Sequence, residues 1–354
     1  MAKMDQILSK AVEFGASDVH ISVGHPPLYR YLGELKQFKI QPFSAAITKA
    51  LFSEILNPEM KERLEKDLQC DFSYDIPGVA RFRANVFCQR LGVDGSFRII
   101  PFRILSLEEL GLPEVVKSML ASHQGLILVT GATGHGKSTT LAAMVDYLNA
   151  TKPHHILSIE DPIEFVHDVN KQGVVNQRQV GRDTSSFANA LRGALREDPD
   201  IIIIGELRDT ETISLALTAA ETGHLVIGTM STSNAQKTID RIIDSFPPDQ
   251  QNQIRTMLAD SIKGIVTQRL IKDKEGKKRV LATETMVGTV AVAAIIRDNK
   301  TFQLFSFIQT GKKSGMQLMD ESLAQLLKDG LISPEAAYAN AVSKKPFETA
   351  SKTK

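Results

Sequence analysis

Tryptophan is absent from the 354 residues, and cysteine occurs only as Cys70 and Cys88. Two thiols cannot build a four-thiolate zinc centre and are too few for a disulfide framework, so the chain reads as a protein of a reducing cytosol. No apolar run reaches the ~18 residues of a membrane span. The start, MAKMDQILSKAVEFGASD, has no signal-peptide core, so any contact with a membrane is expected to pass through a partner. An excess of one charge is missing too. Forty-two Lys and Arg against 41 Asp and Glu leave a formal +1, which excludes a global attraction to nucleic acid or anionic lipid, and no nucleic-acid partner is expected.

What remains is 42% hydrophobic and 23% charged residues, the balance of a soluble globular protein long enough for two domains with real cores. Residues 4–14 carry Met4, Ile7, Leu8, Val12 and Phe14 at helical spacing up to Gly15. DVHISVGHPPLYRYLGEL then alternates around a Gly-His-Pro-Pro turn, residues 44–66 read as helical, and CDFSYDIPGVARFRANVFCQRLGVDGSFRIIP returns to a strand pattern. The first hundred residues are therefore expected to form an α+β domain with an antiparallel sheet. Beyond them, apolar strands at 125–130, 154–160, 201–204 and 224–229 alternate with helices, which is the pattern of a parallel sheet covered on both faces. The expected boundaries are a domain over 1–105, a linker over 106–114 and a second domain over 115–354. A helix is expected from Pro247-Pro248 to about Leu270, then a charged hairpin KDKEGKKR, then mostly helix, with residues 343–354 polar and loose.

GLILVTGATGHGKSTT places Gly131, Ala132, Thr133, Gly134, His135, Gly136, Lys137 and Ser138 in a complete G-x-x-x-x-G-K-[ST] pattern between an apolar strand and a helix-compatible segment. Backbone N–H groups of such a loop, Thr139 included, surround phosphates at a helix N-terminus. Lys137 is expected on the β- and γ-phosphates of ATP and Ser138 on Mg2+. His135 sits at a variable position, reads as solvent-facing, and is given no role of its own.

The strand IIII ends in GELRD, where many phosphate-loop ATPases carry an aspartate for the metal shell. Glu160, Asp161 and Glu164 gather at the end of HHILSIEDPIEF, and Glu206 leaves the isoleucine strand on the same edge. Two acidic strand ends converging on one phosphate loop suit hydrolysis, in which one carboxylate handles water and another the metal shell. The plainer alternative is that they cap helices or pair with Arg208.

With these segments in hand, GATGHGKSTTLAAM, IEDPIEF, VNQRQVGRDTSSFANALRGALREDPDIIIIGELRD and TAAETGHL resemble, in order, the Walker A, Asp-box, Walker B and His-box segments of the secretion ATPase superfamily of the GspE/PilT type, in its pilus-retraction branch. That family places Gly-Glu at the end of this strand. The resemblance covers nearly the whole chain. It implies a PAS-like N-terminal α+β domain, a RecA-like P-loop ATPase domain of α/β class, and a homohexameric ring that binds ATP between the domains. It also implies a role in pilus retraction and twitching motility at the cytoplasmic side of the inner membrane, through a platform protein and with a possible paralogous retraction ATPase.

Carried over by position, Glu206 and Glu164 are the catalytic and metal-shell candidates beside Ser138, and His224 is the first His-box histidine. Arg83 and Arg98 match arginines that approach the phosphates; their plain reading is strand surface. The second His-box histidine is replaced by Ser231, and AVAAIIRDNK matches only partly a stretch associated with retraction, its plain reading being a buried helical face. These departures keep an accessory ATPase of weak turnover in play. An assembly or type II secretion ATPase, which usually carries a longer start and a tetracysteine zinc insertion, is the remaining alternative.

Overall fold

The computed structural model of the chain describes residues 2–169 and 171–348, which form two compact units. One comprises Met1–Arg103 with Pro162–Val166, the other Ile104–Asp161 with His167–Lys354.

In the first unit, α1 (Lys3–Glu13) buries Met4, Leu8 and Ala11 along one stripe. Strands β1 (Asp18–Ile21), β2 (Leu28–Tyr31) and β3 (Glu34–Gln37) follow, then α2 (Ala45–Ile55) and α3 (Pro58–Asp67), then β4 (Gln69–Ile76), β5 (Ala80–Gln89) and β6 (Gly92–Ile100). The six strands pair antiparallel in the order β3-β2-β1-β6-β5-β4. β5 shows why one face is core: Ala80, Phe82, Ala84 and Val86 are buried while Arg83 faces out, the two-residue period of a half-buried strand. The helical stretch expected over 44–66 is present as two helices. Pro58 cannot donate within a helix but suits its first turn, and Asn57 Oδ1 caps α3 by accepting from Met60 N at 2.8 Å.

The second unit runs α4 (Val115–Leu120), β7 (Gly125–Thr130), α5 (Lys137–Thr151), β8 (His155–Glu160), β9 (Val174–Gln179), α6 (Phe187–Ala194), β10 (Ile201–Ile204), α7 (Thr210–Glu221), β11 (Leu225–Met230), α8 (Ala235–Asp244), α9 (Gln251–Ser261), β12 (Ile262–Lys272), β13 (Arg279–Val287), α10 (Val290–Arg297), α11 (Leu304–Thr310), α12 (Met319–Lys328) and α13 (Pro334–Asn340). Its sheet has the order β13-β12-β7-β11-β10-β8-β9, parallel throughout except for antiparallel β13. All four residues of β10 are buried, because helices cover both faces of such a sheet; each Ile withdrawn from water contributes ~2–3 kcal/mol before chain entropy is counted. Leu107 and Leu112, in the stretch read as a linker, are buried in this unit's core beside Ile127 and Val129.

Several expectations are corrected. The helix expected up to Leu270 stops at Ser261. Ile262, Ile265, Val266, Thr267 and Ile271 form a strand because β12 lies between β7 and β13 and is buried on both faces, which hides the two-residue period. β13 and β9 were likewise not expected as strands. AVAAII lies in α10, with Val292, Ile295 and Ile296 buried and Val290 90% exposed. Within the tail read as loose, Phe347 is buried with Met319 and Leu323; residues 349–354 lie outside the described residues. Among the described residues, no helix is long and apolar enough to cross a membrane.

Candidate active site

Parallel register brings four strand ends to one edge of the second sheet. Thr130 pairs with Met230, Ile204 with Gly228 and with Ile159, so the loops after β7, β8, β10 and β11 leave the sheet together, at the carboxyl ends where ligands bind in open α/β folds.

The loop after β7 turns on glycines. Gly134 and Gly136 have φ of 80° and 83°, a left-handed conformation that costs other residues strain. A Cβ on Gly131 would stand 2.6 Å from the carbonyl oxygen of Gln268. Gly136 is the N-cap of α5 and offers no side chain to its first turn, so those N–H groups and the helix dipole are left for an anion. Lys137 Nζ donates to the carbonyl oxygens of Gly131 and Ala132 at 2.8 and 3.3 Å. Burial pushes its ammonium below the ordinary lysine value, opposed by Glu206 and helped by Arg208. Ser138 is exposed and Thr139 half-buried on the first turn of α5. A glycine cradle, free helix N–H groups and a poised ammonium fit a nucleotide's phosphates.

Glu206 faces this loop's charge. Its Oε1 accepts from Ser231 Oγ at 3.1 Å and its Oε2 pairs with Arg208 Nη2 at 2.6 Å. Burial alone would raise its carboxyl, but Arg208, Ser231 and Lys137 together hold it below the usual carboxylate range. The glycine before it has a packing reason: a Cβ on Gly205 would come within 3.2 Å of Ile159 O and 3.3 Å of the Glu160 Cα. Gly205 O accepts from Thr229 Oγ1 at 2.6 Å, which fixes where Glu206 leaves the strand.

The remaining candidates separate. Glu160 accepts from Ser158 Oγ at 2.7 Å and Gln177 Nε2 at 2.9 Å; Asp209, which is not among the sequence candidates, caps α7 through Thr212 N and Oγ1, both at 2.8 Å; the pairing with Arg208 is made by Glu206. Glu164 belongs to the first unit, where its Oε1 lies 3.6 Å from Arg83 Nη1. Arg83 is register partner of Arg98, and Arg98 of Asp18, and Arg98 Nε donates to Asp18 Oδ1 at 3.1 Å. The arginines thus stand in one cross-strand row with carboxylates at hand. The structure does not bring His224 to the site. It precedes β11, six residues and roughly 20 Å from the strand's far end, and its Nδ1 lies 3.0 Å from Ala219 O. The small cavity beside it, lined by His123, His154 and Asp200, shares that opposite edge.

Sequence reasoning missed Gln268. Its Nε2 donates to His135 O at 2.6 Å, and its one available signal was a polar residue inside the apolar run GIVTQRLI. His135 itself is half-buried rather than solvent-facing, and its Nδ1 accepts from Leu270 N at 2.9 Å. Nearby, Thr130 and Thr267 share a buried hydroxyl contact of 2.8 Å that ties β7 to β12.

Compared with known proteins, residues 1–303 match the family model of type II/IV secretion system proteins. The chain is 52% identical over 336 residues to the type IV pilus retraction ATPase PilT of Pseudomonas aeruginosa, covering 95% of this chain and 97% of that protein. It is 39% identical to the type IV pilus ATPase PilU of the same organism, covering 96% and 89%. A crystal structure of the pilus retraction motor PilT with bound ADP superposes with a TM-score of 0.88 at 45% identity and 99% coverage of both chains.

Proposed function

We propose, for a chain that belongs to the type II/IV secretion system protein family, that it hydrolyses ATP to power retraction of type IV pili. The observation that carries this reading is the placement of Lys137 on the glycine loop and Glu206 at the adjoining strand end, in a chain similar over nearly its whole length to a retraction ATPase.

The chemistry follows from the groups present. Loop N–H groups and the start of α5 bind the phosphates, and Lys137 leaves its carbonyl contacts for the β- and γ-oxygens. Mg2+, when bound, offsets charge between the phosphates. Ser138 would hold it with Glu206. Glu206, kept ionised by Arg208 and Ser231, orients water and accepts its proton. Arg83 and Arg98 supply guanidinium charge to the phosphoryl group as it transfers.

Work then arises only from conformers that differ in nucleotide affinity. The assembly is proposed to be a homohexamer that drives an inner-membrane platform protein from the cytoplasm. A second reading, an accessory ATPase like PilU, is favoured by Ser231 at the position where the family usually carries histidine. ATP turnover by the purified chain separates the two: a protein with no measurable turnover alone, and stimulated only by a partner ATPase, would establish the second.

A further inference from the structure

One strand holds the phosphate loop at three points. Gly131 lies against the carbonyl of Gln268, Gln268 Nε2 donates to His135 O at 2.6 Å, and Leu270 N donates to His135 Nδ1 at 2.9 Å. The third contact has a structural cause. Pairing between β12 and β7 ends at Thr267 and Thr130, so beyond that point β12 has no strand on this side and the Leu270 N–H needs another acceptor. The imidazole supplies it, four residues past Gly131, which opens the loop's variable stretch, and two before Lys137.

We propose that His135 is a positioning residue of the phosphate loop: its neutral imidazole, accepting from Leu270, fastens the loop to β12 and holds Gly134 to Lys137 in the shape that receives phosphate. The proposal rests on the reading of this loop as the nucleotide site. An acceptor at Nδ1 requires that nitrogen to be unprotonated, with any ring N–H on Nε2. The charged groups around the imidazole keep it so. Burial first, then Arg269 of β12, Lys137 of α5 and Arg279 of β13, push it below the ordinary histidine value. Arg279 also reaches Gly134 O at 3.5 Å, so the same hairpin touches the loop on both sides of its turn. Protonation would set two donors, Nδ1–H and Leu270 N–H, against each other and release the loop.

Asparagine places an amide oxygen where the imidazole places Nδ1, whereas alanine places nothing. Binding of a fluorescent ADP analogue and ATP turnover by the full-length protein therefore test the idea in His135→Ala, His135→Asn and Lys137→Ala variants, with thermal melts as a check on folding. For H135A the expected result is a roughly tenfold rise in Kd and in KM for ATP with kcat changed less than about threefold. H135N should stay within about threefold of wild type. Wild-type affinity should fall only at a pH below the ordinary imidazole range, and H135N should not share that fall. Should H135A not fold, the affinity and acid profile of H135N decide. H135A binding as tightly as wild type, or a folded H135N binding poorly, overturns the proposal. If K137A loses nucleotide while H135A does not, only this proposal fails; if K137A also binds as wild type, the phosphate-loop reading fails with it.

Discussion

Ser231 Oγ donates a hydrogen bond to Glu206 Oε1 at 3.1 Å, linking the end of β11 to the carboxylate that follows β10. The residue at the family's second His-box position therefore acts on Glu206 directly, helping to hold it ionised beside Arg208. One neutral donor to a partly exposed carboxylate is worth ~1 kcal/mol, or about fivefold in rate. We expect Ser231→Ala to lower turnover by less than tenfold and Ser231→His to raise it by less than tenfold. A silent wild type awakened by Ser231→His in steady-state ATPase assays would point instead to the accessory reading.

Glu206→Gln keeps the side-chain volume but removes the negative charge and the proton acceptor. It also removes the negative charge that pairs with Arg208 at 2.6 Å. The variant should bind ATP and release phosphate at least a hundredfold more slowly, leaving ATP-loaded protein on a filter or column. Near-normal phosphate release would transfer the role to Glu164, and Glu164→Gln would decide it.

Arg83 and Arg98 occupy paired positions on β5 and β6. Both are partly exposed and held by surface pairs that solvent screens strongly, so their folding contribution is small. Arg83→Ala and Arg98→Ala should melt within about 2 °C of wild type, and each should lower kcat more than affinity for ADP. Unchanged kinetics in both would assign them to strand surface.

A stability prediction comes from Glu284, which is 6% exposed and accepts from Ala235 N at 2.8 Å. Burial raises its carboxyl above the ordinary glutamate value, against the pull of the Ala235 N–H and Arg269. A group raised on folding stabilises the native state below its unfolded pKa and loses that contribution as pH rises through the folded one. Neutral Glu284→Gln keeps the acceptor, so it should raise Tm by about 2–4 °C at neutral pH for each ~1 kcal/mol recovered. The difference should shrink toward pH 4. A variant less stable at neutral pH would show that the Arg269 charge dominates.

The phosphate loop was legible because its glycines, lysine and flanking strand and helix are consecutive in sequence, as is IIIIGE. β12 was not, since a strand buried on both faces between β7 and β13 has no period to read, and Gln268 gained meaning only once that strand lay under Gly131. His135 looked like filler because its partner, Leu270, is 135 residues away. His224 was carried over from the His-box pattern, and register alone reveals that it starts a strand whose other end adjoins the site. Glu164 follows β8 closely in sequence, yet its segment packs with the first unit, a tertiary choice that local pattern does not encode.

The central claim, ATP-driven retraction, is tested most directly by imaging labelled pili on living cells of a strain lacking this chain, complemented with wild type or with the Lys137→Ala variant. The account predicts that deletion cells extend pili, accumulate them and fail to retract them or to twitch, and that wild type but not Lys137→Ala restores retraction. Bald deletion cells, or retraction restored in full by Lys137→Ala, would contradict it.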